Sequence, residues 1–178
     1  MVLGYDQNST DPTQLEEAKV KFSELLPNVR VFDSDSPKTA LLAGEVWLGQ
    51  TWNGEAAIAH GENPDIAYIF PEEGCTIWFD NLAIPKEAPH LDAAIALIDY
   101  ILSPDASVLI SKEFPYSNPN LAALDLLKSQ DPAMFEGYMN YPATNPPPED
   151  MNRLHMIMDV GDATALWDRV WTEVKGGE

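Results

Sequence analysis

Two tryptophans, a tyrosine and an aspartate have the types and the spacing of a ligand-binding site. Trp52 closes an apolar run of strand-forming residues, and Trp78 precedes Asp80 by two positions in a segment that reads as extended. Because side chains two apart in an extended segment lie on one face, we expect Trp78 and Asp80 to face the same side. Tyr116 lies in a loop framed by prolines, where a core residue is less expected.

Aromatic faces with a carboxylate at their edge suit a ligand made of a methylene chain that ends in ammonium groups. The apolar rings cover the methylenes, the ring quadrupole attracts the cation, and the carboxylate accepts its hydrogen bonds. Any one large aromatic residue more often fills a core. The prediction of a site therefore depends on the co-occurrence of all four residues, whereas Trp47, Trp167 and Trp171 are assigned to core packing.

The charge of the chain fits a cationic partner. The 178 residues include 10 Lys+Arg and 29 Asp+Glu, which gives a net charge of −19. Nucleic-acid binding of the usual basic kind is excluded, because it needs clustered cations to neutralise phosphates. Two explanations stay open for the acidic excess: solubility, or the attraction of a cationic ligand towards a cleft.

Motifs for catalysis and cofactors are not found in the sequence. Cys75 is the single cysteine, so neither an internal disulfide nor a cysteine-based zinc site is expected. The three histidines lack metal-binding spacing, and there is no Gly-x-Ser-x-Gly, Walker or dinucleotide motif. We expect no catalytic residue, no metal and no cofactor, and the chain is predicted not to be an enzyme.

The order of the predicted elements is strand alternating with helix over the first part of the chain, which favours an α/β fold with a largely parallel sheet. A helix is expected to begin at Asp11-Pro12, a second helix to be capped by Ser103 before Pro104, and the end of the chain, 149–175, to be helical. Neither a signal peptide nor a transmembrane helix is expected. The predicted strands are 29–32, 46–52 and 66–70, and two extended segments, 75–79 and 82–85, follow them.

Longer blocks around these residues resemble the C-terminal half of bacterial spermidine/putrescine-binding proteins, the extracytoplasmic receptors of polyamine ABC importers. The similarity runs nearly from end to end, and together the blocks are fairly specific. The matching blocks are 44–54, 71–85, 94–105, 116–123 and 159–161.

The resemblance implies an α/β fold of the periplasmic-binding-protein type II kind, with two lobes that clamp the ligand and with the N-terminal half lacking. It implies that 1–75 is an α/β segment of the second lobe and that 76–128 is part of the first lobe with the crossover. The helices of 129–178 would return to the second lobe.

Carried over to this chain, the resemblance implies a site of four residues. Trp52 would come from the second lobe, Trp78 from the crossover, and Asp80 and Tyr116 from the first lobe. Asp80 would pair with an ammonium or amine, and the aromatic rings would line the methylenes. Spermidine-binding relatives carry polar side chains where this chain has Met156-Ile157-Met158, so which polyamine is preferred stays open.

The partners implied by the resemblance are a polyamine and the membrane permease of an ABC importer, in a periplasmic or extracytoplasmic location, with no nucleic acid. Because the resemblance covers half of the family's length, we expect this chain alone to bind polyamine weakly or not at all. We also expect self-association, or association with a complementary N-terminal half, to cover strand edges and apolar helix faces.

Two other classes of function stay open at this level. One is a carbohydrate-binding or glycoside-hydrolysing protein that uses Asp80 and aromatic platforms, since sugars also stack on tryptophan. The other is an interaction module in which the same aromatic residues belong to the core.

Overall fold

A computed structural model describes residues 1–176, which form eight α-helices, two short strands and three single 3₁₀ turns. The 3₁₀ turns are Leu26–Asn28, Met151–Arg153 and Gly161–Ala163. The helices are α1 (Pro12–Ser23), α2 (Lys38–Leu42), α3 (Asn53–Glu62), α4 (Leu91–Ile101), α5 (Pro104–Glu113), α6 (Leu121–Gln130), α7 (Pro132–Asn140) and α8 (Thr164–Gly176). The strands are β1 (Cys75–Ile77) and β2 (Leu154–Met156).

The chain divides into two compact units. The first contains Met1–Phe32, Phe70–Trp78 and the chain from Asn152 onward, and the second contains Asp33–Ile69 and Phe79–Met151. These boundaries differ from the predicted segments 1–75, 76–128 and 129–178, because 33–69 belongs with 79–151. The assignment of segments to two lobes stays a prediction.

The first unit packs α1 against α8 beside a small parallel sheet. Lys19 of α1 forms an ion pair with Glu173 of α8 at 2.9 Å, and Phe22 meets the ring of Trp171 edge-on at 6.2 Å between centroids. Asp11 caps α1 by accepting from the backbone N–H of Thr13 at 2.8 Å, so the predicted helix start is confirmed.

The sheet pairs β1 with β2 in parallel, with Cys75 opposite Leu154 and Ile77 opposite Met156. Gly74 leads into β1 with φ +109°, and a Cβ at this position would lie 2.6 Å from the carbonyl oxygen of Arg153. Glycine is required here because it adopts this backbone conformation and lets the two strands approach. The parallel arrangement agrees with the sequence, but the sheet has two strands where more were predicted.

Three predicted strands, 29–32, 46–52 and 66–70, are not strands among residues 1–176. A strand needs a second strand to complete its ladder of backbone hydrogen bonds, and none of the three segments pairs with another strand in the described part of the chain. The assignment of Trp47 to the core is wrong for the same reason, since its side chain is 95% exposed in one of these segments.

The prediction of continuous helix over 149–175 is also wrong. Residues 151–163 form two 3₁₀ turns with β2 between them, and α8 starts at Thr164. The backbone of β2 is held by its pairing with β1, and Gly161 has φ +56°, so helix cannot run through this stretch.

The second unit is built from α2 to α7, and its tightest packing lies between α5, α6 and α7. Val108, Ala123 and Leu127 form a buried cluster against which Met134 and Phe135 pack. Ser103 caps α5 as predicted, and Asn120 and Asp131 cap α6 and α7 through their side-chain oxygens. Three helix starts are therefore specified locally by capping residues.

Within residues 1–176, no single helix is long and apolar enough to cross a membrane. Taken together, α4 and α5 reach that length and composition, but they meet at an angle of 67°.

Leu127→Ala should lower the free energy of unfolding by about 2–5 kcal/mol, because it removes a fully buried side chain and leaves a cavity. The matched control is Leu121→Ala on the same helix, whose side chain is 74% exposed and whose loss should change stability by less than about 0.5 kcal/mol. Urea denaturation measures both. Equal effects of the two variants would contradict the position of this core.

Candidate ligand-binding site

Three of the four predicted site residues, Trp52, Asp80 and Tyr116, belong to the second compact unit. The resemblance implies that Trp52 comes from a different lobe than Asp80 and Tyr116, whereas all three lie in one unit here. Trp78 is the last residue of a segment of the first unit, one position beyond β1, and its side chain is exposed.

Trp52 is the N-cap residue of α3, and its side chain is held by a turn of the backbone. The indole Nε1 donates a hydrogen bond to the carbonyl oxygen of Ser34 at 3.1 Å. That turn is ordered by Asp33, whose carboxylate accepts from the backbone N–H groups of Ser36 and Asp35, and these hydrogen bonds lower the pKa of Asp33. The indole is thus oriented while part of its surface remains exposed.

The start of α3 is anchored on its other side by the segment that follows α7. Asn53 Nδ2 donates to the carbonyl oxygen of Ala143 at 2.9 Å. The ring of Tyr141 stacks on His60 with 4.4 Å between centroids, and its hydroxyl donates to the carbonyl oxygen of Ala56 at 3.4 Å. These contacts fix the start of α3, and with it the backbone of Trp52, against the segment that follows α7.

The ring of Tyr116 lies directly against Gly54 in the first turn of α3. A Cβ on Gly54 would lie 2.3 Å from Cε2 of the tyrosine, closer than any two such atoms can approach. Glycine at this position therefore lets an aromatic face lie flat on the helix, two residues after Trp52. This contact brings Tyr116 to the same end of α3 as the first tryptophan.

The loop that carries Tyr116 is held in place by hydrogen bonds of Tyr138 and Asn118. The hydroxyl of Tyr138 donates to the carbonyl oxygen of Tyr116 at 2.7 Å and accepts from the backbone N–H of Asn118 at 2.6 Å. Burial raises the pKa of Tyr138, and the bond from Asn118 opposes that rise. The protonated hydroxyl can therefore serve as donor and acceptor at once.

Asn118 in turn reaches two buried serines of α5. Its Nδ2 donates to Ser111 Oγ at 2.7 Å and to Ser107 Oγ at 3.0 Å. Sequence reasoning missed Asn118 and Tyr138. The available signal was the pair Ser107 and Ser111, which are four residues apart in α5 and therefore put polar groups on one face of a helix.

Charged groups act electrostatically on the hydroxyl of Tyr116. Burial is the main cause that raises the pKa of Tyr116, the negative charges of Glu55 and Asp80 raise it further, and Lys38 acts in the opposite direction. Lys38 and Glu55 form an ion pair of 2.5 Å, whereas Asp80 is exposed and forms no ion pair among residues 1–176. Sequence reasoning missed Lys38 and Glu55, because no periodicity connects residues 17 positions apart.

A shallow cavity of about 140 Å³ opens between α5 and the Tyr116 loop. Its lining differs from the charged corner that Trp52, Tyr116, Asp80, Glu55 and Lys38 form at the start of α3. It is lined by Ile110, Phe114 and Pro119 together with polar residues of the network behind Tyr116, and no charged side chain is among its lining. A cation would find no counter-ion there.

No group of three or more His, Cys, Asp or Glu side chains within the described part of the chain is arranged to hold a metal ion. The arrangement found instead is two ordered aromatic side chains at one helix start with an exposed carboxylate within electrostatic reach. Such a corner can bind a cation that carries apolar surface.

The comparison with protein families matches residues 1–136 to the bacterial extracellular solute-binding proteins. The chain belongs to this family. The match includes α1 to α6 and with them all four predicted site residues.

Named relatives are similar over three quarters of this chain or more. The spermidine/putrescine-binding periplasmic protein of Escherichia coli K12 is 35% identical over 175 residues, which is 98% of this chain and 48% of the relative. The putrescine/agmatine-binding protein of Pseudomonas aeruginosa is 34% identical over 142 residues, which is 75% of this chain and 39% of the relative. A solved structure of a putative spermidine/putrescine ABC transporter from Listeria monocytogenes superimposes with a TM-score of 0.84 at 28% identity, covering 99% of this chain and 52% of that one.

The fold is therefore that of a solute-binding protein of this family, and the chain spans about half the length of the curated relatives that it matches.

Gly54→Ala should lower the free energy of unfolding by about 1–3 kcal/mol, because the new methyl group overlaps the ring of Tyr116 and must push it from α3. The control is Gly61→Ala in the same helix, where a Cβ meets nothing within 4 Å and where alanine should stabilise by about 0.5–1 kcal/mol. Urea denaturation compares the two variants. If both stabilise equally, Tyr116 does not lie on Gly54.

Proposed function

We propose that this chain is the solute-binding component, or half of it, of an ABC importer for a polyamine such as spermidine or putrescine. The observation that carries the proposal is the corner at the start of α3, where Trp52 and Tyr116 are held in place and the carboxylate of Asp80 has no ion-pair partner among residues 1–176. The names of the relatives, which bind spermidine, putrescine or agmatine, agree with this chemistry.

The proposed roles follow from the chemistry of each side chain. Asp80 accepts hydrogen bonds from a terminal ammonium, and the faces of Trp52, Trp78 and Tyr116 cover the methylenes. A tyrosine hydroxyl is protonated at neutral pH, and the raised pKa of Tyr116 favours that neutral form further, so the hydroxyl can hydrogen-bond without adding charge. The net charge of −19 attracts a polycation towards the protein.

The wider role is proposed from the family. In it, a second lobe closes over the ligand and binding energy selects the closed form. The loaded protein would then dock on a membrane permease outside the cytoplasm. The function is transport, with no chemical change of the ligand.

Glycoside hydrolysis is the less favoured candidate. It needs a pair of carboxylates about 5–10 Å apart, one of which acts as an acid or a base. The second carboxylate that acts on Tyr116 is Glu55, and Lys38 neutralises it. Among residues 1–176, no carboxylate other than Glu55 is known to act on Tyr116 beside Asp80, whereas a receptor for an ammonium needs a single carboxylate.

The affinity of this chain by itself is expected to be modest. A charge-assisted hydrogen bond contributes about 1.5–3 kcal/mol and a cation–π contact about 0.5–2 kcal/mol. Micromolar affinity needs about 8 kcal/mol. One carboxylate and three aromatic faces reach that value only if each contributes near the top of its range, so a complementary half with further acidic residues would complete the site.

We also propose that another chain covers part of the second unit. Helix α4 is apolar yet contains no buried residue, and Leu91, Ile95 and Tyr100 are among its exposed side chains. Self-association, or association with a complementary N-terminal half, would remove such surface from water.

Asp80→Asn should weaken spermidine binding about tenfold or more, because it removes a charge-assisted hydrogen bond of about 1.5–3 kcal/mol. Titration of the full chain with spermidine, followed by tryptophan fluorescence, measures the dissociation constant. The control is Asp99→Asn, an exposed carboxylate of α4 with the same change in charge, for which little effect is expected. Sub-micromolar binding by the unaltered chain would contradict the modest affinity expected of it, and equal effects of the two variants would contradict the proposed site.

The state of association is tested by light scattering. We expect the 19.7 kDa chain to form a dimer or larger species at micromolar concentration, because α4 is exposed and apolar. Ile95→Glu should shift the population towards monomer by placing a charge on that face. A compact monomer at all concentrations would contradict self-association.

A further inference from the structure

The side chains of the ion pair between Lys38 and Glu55 are largely shielded from solvent. Lys38 is the first residue of α2 and Glu55 lies in the first turn of α3, with side chains 24% and 17% exposed. By contrast, the pair Lys21 and Glu24 on α1 is more than half exposed on both sides. A pair that is partly withdrawn from water is screened less by salt and holds its partners more firmly.

This pair lies beside the proposed ligand corner. Glu55 directly follows Gly54, on which the ring of Tyr116 rests. The charges that act on the Tyr116 hydroxyl are those of Glu55, Asp80 and Lys38. Two carboxylates and one ammonium therefore act electrostatically on one phenol, and the ammonium is bound to one of the carboxylates.

We propose that Lys38 is a specificity-determining residue that occupies Glu55 in the place of a ligand ammonium, so that Asp80 alone remains to pair with the ligand. This inference rests on the proposed polyamine function. The side chain of lysine, a methylene chain ending in an ammonium, has the same chemistry as one end of a polyamine. It acts as a tethered competitor within the protein.

Tethering makes this competitor effective. Because Lys38 is fixed on α2, its ammonium is present at Glu55 at an effective concentration of about millimolar or higher, against which a dilute ligand competes poorly. The corner therefore offers one available negative charge, not two. Lys38 thereby lowers the affinity for ligands with several ammonium groups and limits how tightly they are retained.

Substituting Lys38 and substituting Glu55 should change the affinity for spermidine in opposite directions. Lys38→Met frees Glu55 and should tighten spermidine binding about tenfold, since a new charge-assisted hydrogen bond contributes about that much. Glu55→Gln breaks the same pair but leaves an unpaired ammonium beside the ligand, so spermidine binding should weaken. Lys38→Arg keeps the positive charge and should show no gain.

The experiment titrates spermidine into the full chain up to millimolar concentration, followed by tryptophan fluorescence, with circular dichroism to confirm folding. Lys112→Met on α5 is the control for net charge, because it removes an exposed cation that forms no ion pair among residues 1–176. Lys38→Gln is measured in parallel and gives the same gain if the apolar Met destabilises α2. Butylamine, with one ammonium, should gain little from Lys38→Met because Asp80 already serves it.

The inference is overturned if Lys38→Met and Lys38→Gln bind no tighter than the unaltered chain, or if Lys112→Met or Glu55→Gln gives an equal gain. Asp80→Asn separates this result from the proposed function. Where Asp80→Asn weakens binding and Lys38→Met does not strengthen it, the role of Lys38 alone is wrong. Where neither the unaltered chain nor Lys38→Met binds spermidine up to millimolar concentration, the proposed site of this chain fails together with the role of Lys38.

Discussion

The contact between the ring of Tyr116 and the backbone of Gly54 is the constraint on which the candidate site depends. It joins a loop that follows α5 to the start of α3, so that two aromatic residues distant in sequence reach one helix end. The tyrosine stays there because Tyr138 and Asn118 hold its loop from behind. The site thus has an outer layer of aromatic faces and an inner layer of buried hydrogen bonds, and the inner layer supplies the rigidity.

Local features of the fold were predictable from the sequence, because they depend on neighbouring residues. Asp11 and Ser103 cap helices as expected, since a side-chain oxygen followed by proline specifies a helix start with little help from the rest of the chain. Strands were less predictable. The segment 46–52 has strong strand-forming residues, yet it remains without a partner among residues 1–176 and leaves Trp47 almost fully exposed. The β propensity of a residue describes a single segment, whereas a strand forms only when two segments pair through backbone hydrogen bonds.

The candidate site was predictable in its aromatic residues but not in its charges. Trp52 and Tyr116 were visible as large aromatic residues at the ends of elements, and the structure explains how each is oriented. Lys38 and Glu55 were not visible, because their pairing arises only when α2 packs beside α3. Long-range ion pairs leave no spacing rule in a sequence, although they decide how many carboxylates remain available to a cationic ligand. The same limit applies to Trp78 and Asp80, whose common face stays a prediction.

The most direct test of the polyamine site uses the five tryptophans as reporters. Spermidine is titrated into the ¹⁵N-labelled chain, and the indole N–H signals are followed by NMR. The account predicts that Trp52 and Trp78 shift with one common dissociation constant, while Trp167 and Trp171 in the helix packing of the first unit remain unchanged. A titration that moves Trp167 and Trp171 but leaves Trp52 and Trp78 unaffected, or that moves none of the five, would contradict it.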